Sequence, residues 1–526
     1  MRRVVTLALA LIAATALAQA EITVFIGGQQ RPDVIGPLLD EFNAQNPDIV
    51  ASFEVGGATS DQQQQYLNTV LTSRSGDIDV FLIDVVRPAQ YAASGWAEPL
   101  NGFFESDEAM MTYLEDFLPG PIEANLIDGT LYALPAFTDA QFLYYRTDLL
   151  EAYGFEPPTT WEELKMQALT IQQGEGDPNL QGFNYQGFAG EGTICTFLQA
   201  LWSAGGNWID DDGTITLQTP EARRAMEWYE ETLASGITVP GIAEMSTDLS
   251  RQQFQAGNVA LMLNWGYAWA HFQGSSPQDT EVAGLVGVAP LPAFEGNDSA
   301  TCIGGWQWAI NPFGSEKDAA WRLVEFLASP ESQRVLAVEA SNVPARHSLY
   351  SDPEVLAAAP HFGDFYDVII NARSRPVTPF YGDVSQAIRF PMNAFFARDL
   401  SIDEALEEMQ RGVEEALGQF NAMVRNPGSG RTPGRELYME LGRGEAREGR
   451  SLEALLAAYR LGARVAWRRL STLGLQAGFA PEVLVLFAES SFAYIDELSA
   501  ESAEGFAEEQ AARAGEEDRR RATLLE

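Results

Sequence analysis

EITVFIGG at 21–28, DVIGPLLDEFNAQNPDI at 33–49, VASFEVGG at 50–57 and DVFLID at 79–84 decide the fold. The first, third and fourth are short apolar runs of strand length. The second repeats its apolar residues at helical spacing and stops at Asn46-Pro47. QQQQYLNTVLTSR at 62–74 supplies another helix before the third strand. Strand, helix, strand, helix, strand predicts a parallel or mixed sheet covered by helices. The same rhythm puts Gly27, Gly28, Gly56, Gly57 and the Asp84 carboxylate at carboxyl ends of strands, where open α/β sheets form a ligand crevice.

Outward from there the pattern repeats with interruptions. Pro135 to Asp139 breaks the periodicity before the apolar strand QFLYY, and TTWEEL at 159–164 reads as a helix start. VALMLNW, GLVGVAPLP and GGWQWAINPF are further strands that begin or end at glycine, tryptophan or proline. With the helical stretches at 315–329, 331–345 and 401–420, this is too much for one sheet of ordinary size, so two lobes are expected. NAMVRNPGSGRTPG at 421–434 has the composition of a flexible linker. Beyond Arg435 alanine, leucine, glutamate and arginine dominate, which predicts an all-helical module of four segments with no catalytic role.

Met1-Arg2-Arg3, a short apolar run and the small residues Ala18 and Ala20 form the three parts of a secretory signal peptide, with cleavage expected after Ala20. No cysteine follows that run, so a soluble periplasmic or secreted protein is expected in place of a lipid-tethered one. No later stretch offers the roughly 20 apolar residues of a membrane span; 453–467, for instance, is broken by Arg460 and Arg464. The formal charge is −41, and residues 431–526 hold 13 Arg and 17 acidic residues, which leaves −37 for residues 1–430. So acidic a body argues against nucleic acid or anionic lipid as partner. Cys195 and Cys302 are the two cysteines, and an even pair in an exported chain predicts one disulfide. They and the scattered His271, His347 and His361 make no recognisable zinc site, and neither a metal nor a cofactor is expected.

Sugars carry hydroxyls on rings with apolar faces, so a sugar site needs flat aromatic surfaces rimmed by charged or amide groups. Such residues gather at the irregular strand ends. Trp265 and Tyr267 follow VALMLN, and Trp306 and Trp308 follow Gly304-Gly305. Of the two, Trp306 is assigned to the ligand and Trp308 to the core. Tyr144 and Tyr145 are adjacent and face opposite ways on their strand, one packed and one free to reach the cleft. Asp139 lies between a proline break and a tyrosine-rich strand. Arg373 and Arg375 sit in NARSRPVTPFY, which has little reason to be core and offers guanidinium forks for hydroxyls or a lobe-closing carboxylate.

DIDVFLIDVVRPAQYAASGWAEPL, GTLYALPAFTDAQFLYYRTDLLEAYG with PPTTWEEL, FQAGNVALMLNWGYAW, the Gly-Gly-Trp strand and NPFGSEKDAAWRLVEFLASPESQ occur in an order that carries a resemblance. Residues 21 to about 424 resemble the extracellular solute-binding proteins of ATP-driven (ABC) sugar importers, in particular the maltose/trehalose-binding branch. The resemblance implies an α/β, two-lobed periplasmic-binding-protein fold of type II with a hinge, closing on a small sugar without catalysis and then docking on a membrane permease. It places residues 21–136 and 290–331 in the first lobe and 137–289 and 332–424 in the second, followed by a linker at 425–434 and the helical module at 435–526. Crossings are implied near Pro135–Asp139, Gly287–Pro290 and Ser329–Glu331. Asp84 and Asp139 would accept sugar hydroxyls, Trp265 and Trp306 would stack on rings, and the Gly305 backbone would seat the sugar. Tyr145 and Arg375 are further implied polar contacts, with Arg373 as a substitute. Gln29 and Gln30 stand in the first strand-to-helix turn, where relatives often place a carboxylate, and Gln30 joins the site on that ground.

The tail, from GRELYMELGRGEAREGRSLEALLAAYRLGARVAWRRLSTLG to the final ATLLE, resembles the amino-terminal helical region of PucR-type transcription regulators. A cytoplasmic regulator fragment behind a signal peptide is a topological contradiction, and no DNA binding is expected of it. Two other functions compete for the body. A glycoside hydrolase would need two opposed carboxylates, one with a raised pKa; Asp84 and Asp139 are the available pair, and nothing in the sequence gives either an apolar setting. A glycerol-phosphate or other polar-solute receptor would use GGQQ and VGGATS, although the paired tryptophans favour a neutral, ring-bearing ligand.

Overall fold

The computed structural model describes residues 19–425 apart from 58, 211–212, 275–279 and 379, together with isolated positions at 443, 452, 502, 503, 506, 507 and 509. Residues 1–18 of the expected signal peptide, the expected linker from 426 and nearly all of the helical module lie outside the described residues. The first two strands, β1 (Ala20–Ile26) and β2 (Ile49–Val55), are parallel, with Ala20 opposite Ile49 and Ile26 opposite Val55. The helix Pro32–Gln45 joins them. It starts at a proline that fits the first turn, buries Val34, Ile35, Leu38, Leu39 and Phe42 on one face, and ends at Asn46. β3 (Val80–Asp84) is buried on both faces and lies parallel to β1. The strand and helix rhythm read from the sequence is therefore the framework of the first lobe.

A small hairpin, β4 (Leu126–Ile127) and β5 (Thr130–Leu131), turns at Asp128-Gly129, both with positive φ as such a two-residue turn requires. It leads into β6 (Leu134–Arg146), a 13-residue strand that belongs to both lobes. Over Leu134–Ala140 it pairs antiparallel with β10 (Ile303–Ile310), and β10 also pairs with β3. Over Gln141–Arg146 it pairs with β8 (Val259–Trp265) and β9 (Val286–Ala289), while β7 (Gln181–Asn184) runs parallel to β8. The strand order is β2-β1-β3-β10-β6-β8-β7, with β9 on the other edge of β6. One apolar core, around Val24, Leu38, Phe42, Leu82, Trp308 and Leu323, serves the first lobe, with Phe25, Phe81 and Tyr91 on the opposite face of its sheet. Another, around Phe142, Trp161, Phe183, Phe197, Tyr229 and Met392, serves the second.

The crossing at Pro135–Asp139 falls within β6. The other two are displaced from the expected places. Residues 287–290 close β9 and stay in the second lobe, where Leu291 and Phe294 pack into the core containing Trp161. The chain returns to the first lobe at the start of β10, just after Cys302. Ser329–Glu331 is no crossing but a helix start: the Ser329 hydroxyl accepts from Ser332 N at 3.2 Å and caps Pro330–Ala340, which packs on Pro32–Gln45. The last passage comes at Asn342–Val343, where Thr138 N donates to Val343 O at 3.0 Å. In both cases a proline that bends the chain locally resembles one that carries it between lobes.

Other local readings fit the structure. Thr160 and Glu163 form a reciprocal capping box at the head of Trp161–Glu175. Cys195, in the helix Glu191–Ser203, is disulfide-bonded to Cys302 with Cα atoms 5.6 Å apart. The helices Tyr381–Phe396 and Ile402–Arg425 pack on one another, the former also against Glu191–Ser203. Among the described residues no helix is long and apolar enough to cross a membrane, and no group of three or more His, Cys, Asp or Glu is placed to hold a metal.

Candidate functional site

The two lobes meet around a cavity of about 110 Å³ at the middle of β6, where β3, β8 and β10 also end or begin. Asp84, Asp139, Trp265, Gly305, Trp306 and Arg375 all line it, as do Gln29, Ser60, Phe137, Glu191, Gly192, Thr247, Tyr267, Gly304 and Asn342. An adjoining chamber of about 70 Å³ shares Gln29, Ser60, Glu191, Gly192 and Thr247 and extends to Asp61, Gln186, Phe188 and Met245.

One end of the cavity is aromatic. Trp306 stands between Asp84 on β3 and Phe137 on β6, while Trp308, two residues on, is buried in the first-lobe core. Gly305 has φ +114°, and a Cβ there would lie 2.5 Å from the Phe137 carbonyl, so glycine lets β10 press against β6. At Gly304 the occupant of side-chain space is the Trp265 ring, which a Cβ would meet at 2.6 Å. Asp139 holds this corner together: its Oδ1 accepts from Gly266 N at 2.8 Å and from Ala140 N at 2.9 Å. Burial pushes its pKa up to about 7 against these two hydrogen bonds. The apolar setting that the sequence did not disclose therefore exists at Asp139.

The other end is charged, and both lobes contribute. Asp84 Oδ1 accepts from Arg375 Nη2 at 2.8 Å and its Oδ2 from Ser60 Oγ at 3.1 Å. Arg375 Nη1 also reaches Glu191 Oε2 at 3.0 Å. Glu191 accepts in addition from Tyr381 OH, from Ser385 Oγ at 2.7 Å, and from Arg87 and Arg389 at 3.4 and 3.5 Å. Arg389 in turn holds Asp61 at 2.7 Å across the gap. Burial alone would raise the Glu191 pKa, but Arg87, Arg375 and Arg389 outweigh it and hold the carboxyl below its ordinary value. Burial likewise opposes the charge of Arg375, and Asp84, Tyr381 and Glu191 overcome it, raising the pKa.

Three expected site residues stand elsewhere. Gln30 is buried in the first lobe beside Gly27 and Gln63; Gln29 is the one at the cavity, donating Nε2 to Asp248 Oδ2 at 2.9 Å. Tyr145 covers Gly287 of β9, away from the cavity, and its neighbour Tyr144 is buried with its hydroxyl donating to Trp265 O at 2.8 Å. Arg373 lies over the Trp202 ring, 4.7 Å from its centroid, in a separate groove with Asn207 and Trp208. A one-residue error in a turn accounts for Gln30, whose neighbour Gln29 lines the cavity, whereas neither Tyr144 nor Tyr145 does. Arg373 and Arg375 were not separable by type, and the backbone bridge of Arg373 to Cys302 decides which one enters. Glu191 escaped notice because an acid in the first turn of a helix has an ordinary explanation in the helix dipole.

The sequence pattern described as bacterial extracellular solute-binding protein matches residues 27–334, and that of the PucR-like N-terminal domain matches 374–526. The latter match therefore begins in the loop before the helix Tyr381–Phe396 and takes in that helix and Ile402–Arg425, both packed in the second lobe upstream of the expected linker. A probable ABC transporter-binding protein of Deinococcus radiodurans is 35% identical over 368 residues, 68% of this chain and 85% of the relative. The mannitol-binding protein of Pseudomonas aeruginosa is 29% identical over 363 residues, 67% of this chain and 80% of that one. Among solved structures, maltose-bound MalE3 of T. maritima is 34% identical with a TM-score of 0.71, covering 75% of this chain and 99% of the other.

Proposed function

Since the chain belongs to the bacterial extracellular solute-binding proteins, we propose that it is the receptor of an ABC importer for a small neutral sugar, a disaccharide such as maltose or trehalose. The observation that carries the neutral character is Arg375. It faces the cavity, yet both ends of its guanidinium fork are taken by Asp84 and Glu191. An uncharged ring then finds what it needs: two tryptophans for its faces, and carboxylate, hydroxyl and amide groups for its hydroxyls. Two adjoining chambers with shared walls favour a ligand of two units. The named ligands of similar proteins, maltose and mannitol, are both uncharged and polyhydroxylated.

No bond need be broken. Cavity-lining residues come from both lobes, Asp84 and Trp306 from one and Glu191, Trp265 and Arg375 from the other, so a solute that touches all of them favours the closed arrangement. The closed surface would then be what the permease recognises. The pair Asp84 and Asp139 makes a poor hydrolytic couple, because Asp84 is held by Arg375 and Oδ1 of Asp139 is occupied by two backbone amides.

Calorimetric titration with maltose, trehalose, D-mannitol and sn-glycerol 3-phosphate tests this. A saturable heat is expected with a disaccharide, and Trp306→Ala should weaken it about 30-fold, the scale of a 2 kcal/mol anchor residue. Binding of glycerol 3-phosphate alone would assign the same fold to an anionic solute and reject the sugar.

A further inference from the structure

Six ionised side chains meet beside the cavity. Asp61, Asp84 and Arg87 come from the first lobe, and Glu191, Arg375 and Arg389 from the second. Three acids balance three arginines, but not as three separate couples. Asp61 serves Arg389, Asp84 serves Arg375, and Glu191 contacts all three arginines. Among the described residues Glu191 is the one carboxylate within ion-pairing distance of Arg87. Its own two oxygens are also held by Tyr381 and Ser385, both on the helix Tyr381–Phe396, so it is fixed before the lobes meet.

We propose that Glu191 determines the charge selectivity of the cleft: it compensates the arginines that border the cavity, so that neutral solutes are admitted and anionic ones rejected. This rests on the reading of the protein as a receptor for a neutral solute and adds the residue that makes it one. Glu191 lines both chambers of the cavity, as does no other acidic residue of the network. A ligand carboxylate or phosphate entering there would meet its negative charge at close range and could engage the two Nη atoms of Arg375 only by displacing Asp84 or Glu191. Both displacements leave a buried carboxylate without its partner, a costly arrangement in a region this enclosed. Replacing Glu191 by an amide leaves the network with one uncompensated positive charge. That charge would lie at the start of the 13-residue helix Glu191–Ser203, where the amide dipoles also favour an anion. A ligand's own carboxylate then supplies what the side chain lost.

The test uses the full chain and its Glu191→Gln and Glu191→Asp variants, each checked for folding by circular dichroism and thermal melting. Each is titrated with three neutral probes, maltose, D-glucose and D-mannitol, and three anionic ones, D-glucuronate, D-gluconate and sn-glycerol 3-phosphate. Wild type and Glu191→Asp should bind a neutral probe and give no saturable heat with the anions. Glu191→Gln should gain at least tenfold in affinity for one of the anions, a change that loss of a merely structural residue would not produce. Should Glu191→Gln fail to fold, Asp84→Asn leaves the same single excess of positive charge facing Arg375 and carries the same expectation. Neutral binding in wild type without any anion gain in the variants overturns the role of Glu191 while leaving the receptor reading intact. Anion binding by wild type in preference to the neutral probes overturns that reading and this inference together.

Discussion

The two ends of the cavity are built in different ways. The aromatic end is assembled from strand ends, Trp265 closing β8 and Trp306 within β10, and is positioned by backbone: the positive φ of Gly305, the ladder between β6 and β10, and two amides on Asp139. The charged end is held chiefly by side-chain ion pairs, reaching from Asp84 to Arg375 over 291 residues and from Asp61 to Arg389 over 328. A surface set by backbone is ready before ligand arrives, whereas cross-lobe ion pairs exist only when the lobes are together. Under the proposed function the aromatic end would provide affinity for a ring, and the charged end would connect recognition to closure.

The largest effect is expected where one substitution strips two carboxylates of a partner. Arg375→Met leaves Asp84 and Glu191 facing each other in a buried setting, which costs about 3–5 kcal/mol when a buried pair is broken. Urea unfolding should show a loss of that order. A loss under about 1 kcal/mol would mean that the charged end adds nothing to the closed fold.

Next comes Asp139, the buried carboxyl at the aromatic end. Its carboxyl retains its proton up to about pH 7 in the fold but would release it near 3.8 when unfolded. The unfolded state therefore binds fewer protons in that window, and stability falls as pH rises from about 4 to 7, by about 4 kcal/mol at most at 1.4 kcal/mol per unit. Asp139→Asn should keep the hydrogen bonds from Gly266 and Ala140 and remove this slope, so it gains on wild type as pH increases from 4 to 8. Parallel stability profiles for the two proteins would show that the aromatic end does not rest on a protonated carboxyl.

The smallest effect belongs to Arg373, outside both ends. Arg373→Ala should change sugar affinity less than about twofold and stability by no more than about 0.5 kcal/mol, the usual range for exposed positions. A tenfold loss of affinity would extend the charged end to the groove around Trp202.

The sequence disclosed the aromatic end better than the charged one. The sequence places both tryptophans after Gly304-Gly305 on one strand, and the structure has Trp306 at the cavity and Trp308, farther along and packed with the same lobe, in the core. The sequence does not say which of two adjacent residues in an irregular turn faces outward, hence Gln29 in place of Gln30. At the charged end Asp84 and Arg375 were visible as isolated polar residues at irregular places, but their partnership was not. Nothing marked Glu191, Arg87 or Arg389 as belonging together.

By itself the sequence determined the strand and helix rhythm, the glycines before Trp306 and the even cysteine pair, because each depends on near neighbours or on composition; the crossing at PAFTD was implied only by resemblance. Tertiary structure alone decided where the chain recrosses between lobes, which arginine of NARSRP enters the cleft, and that Glu191 stands among three guanidiniums. Periodicity and turn chemistry act over a few residues. An ion pair between residues hundreds of positions apart is chosen only when two lobes bring their surfaces together.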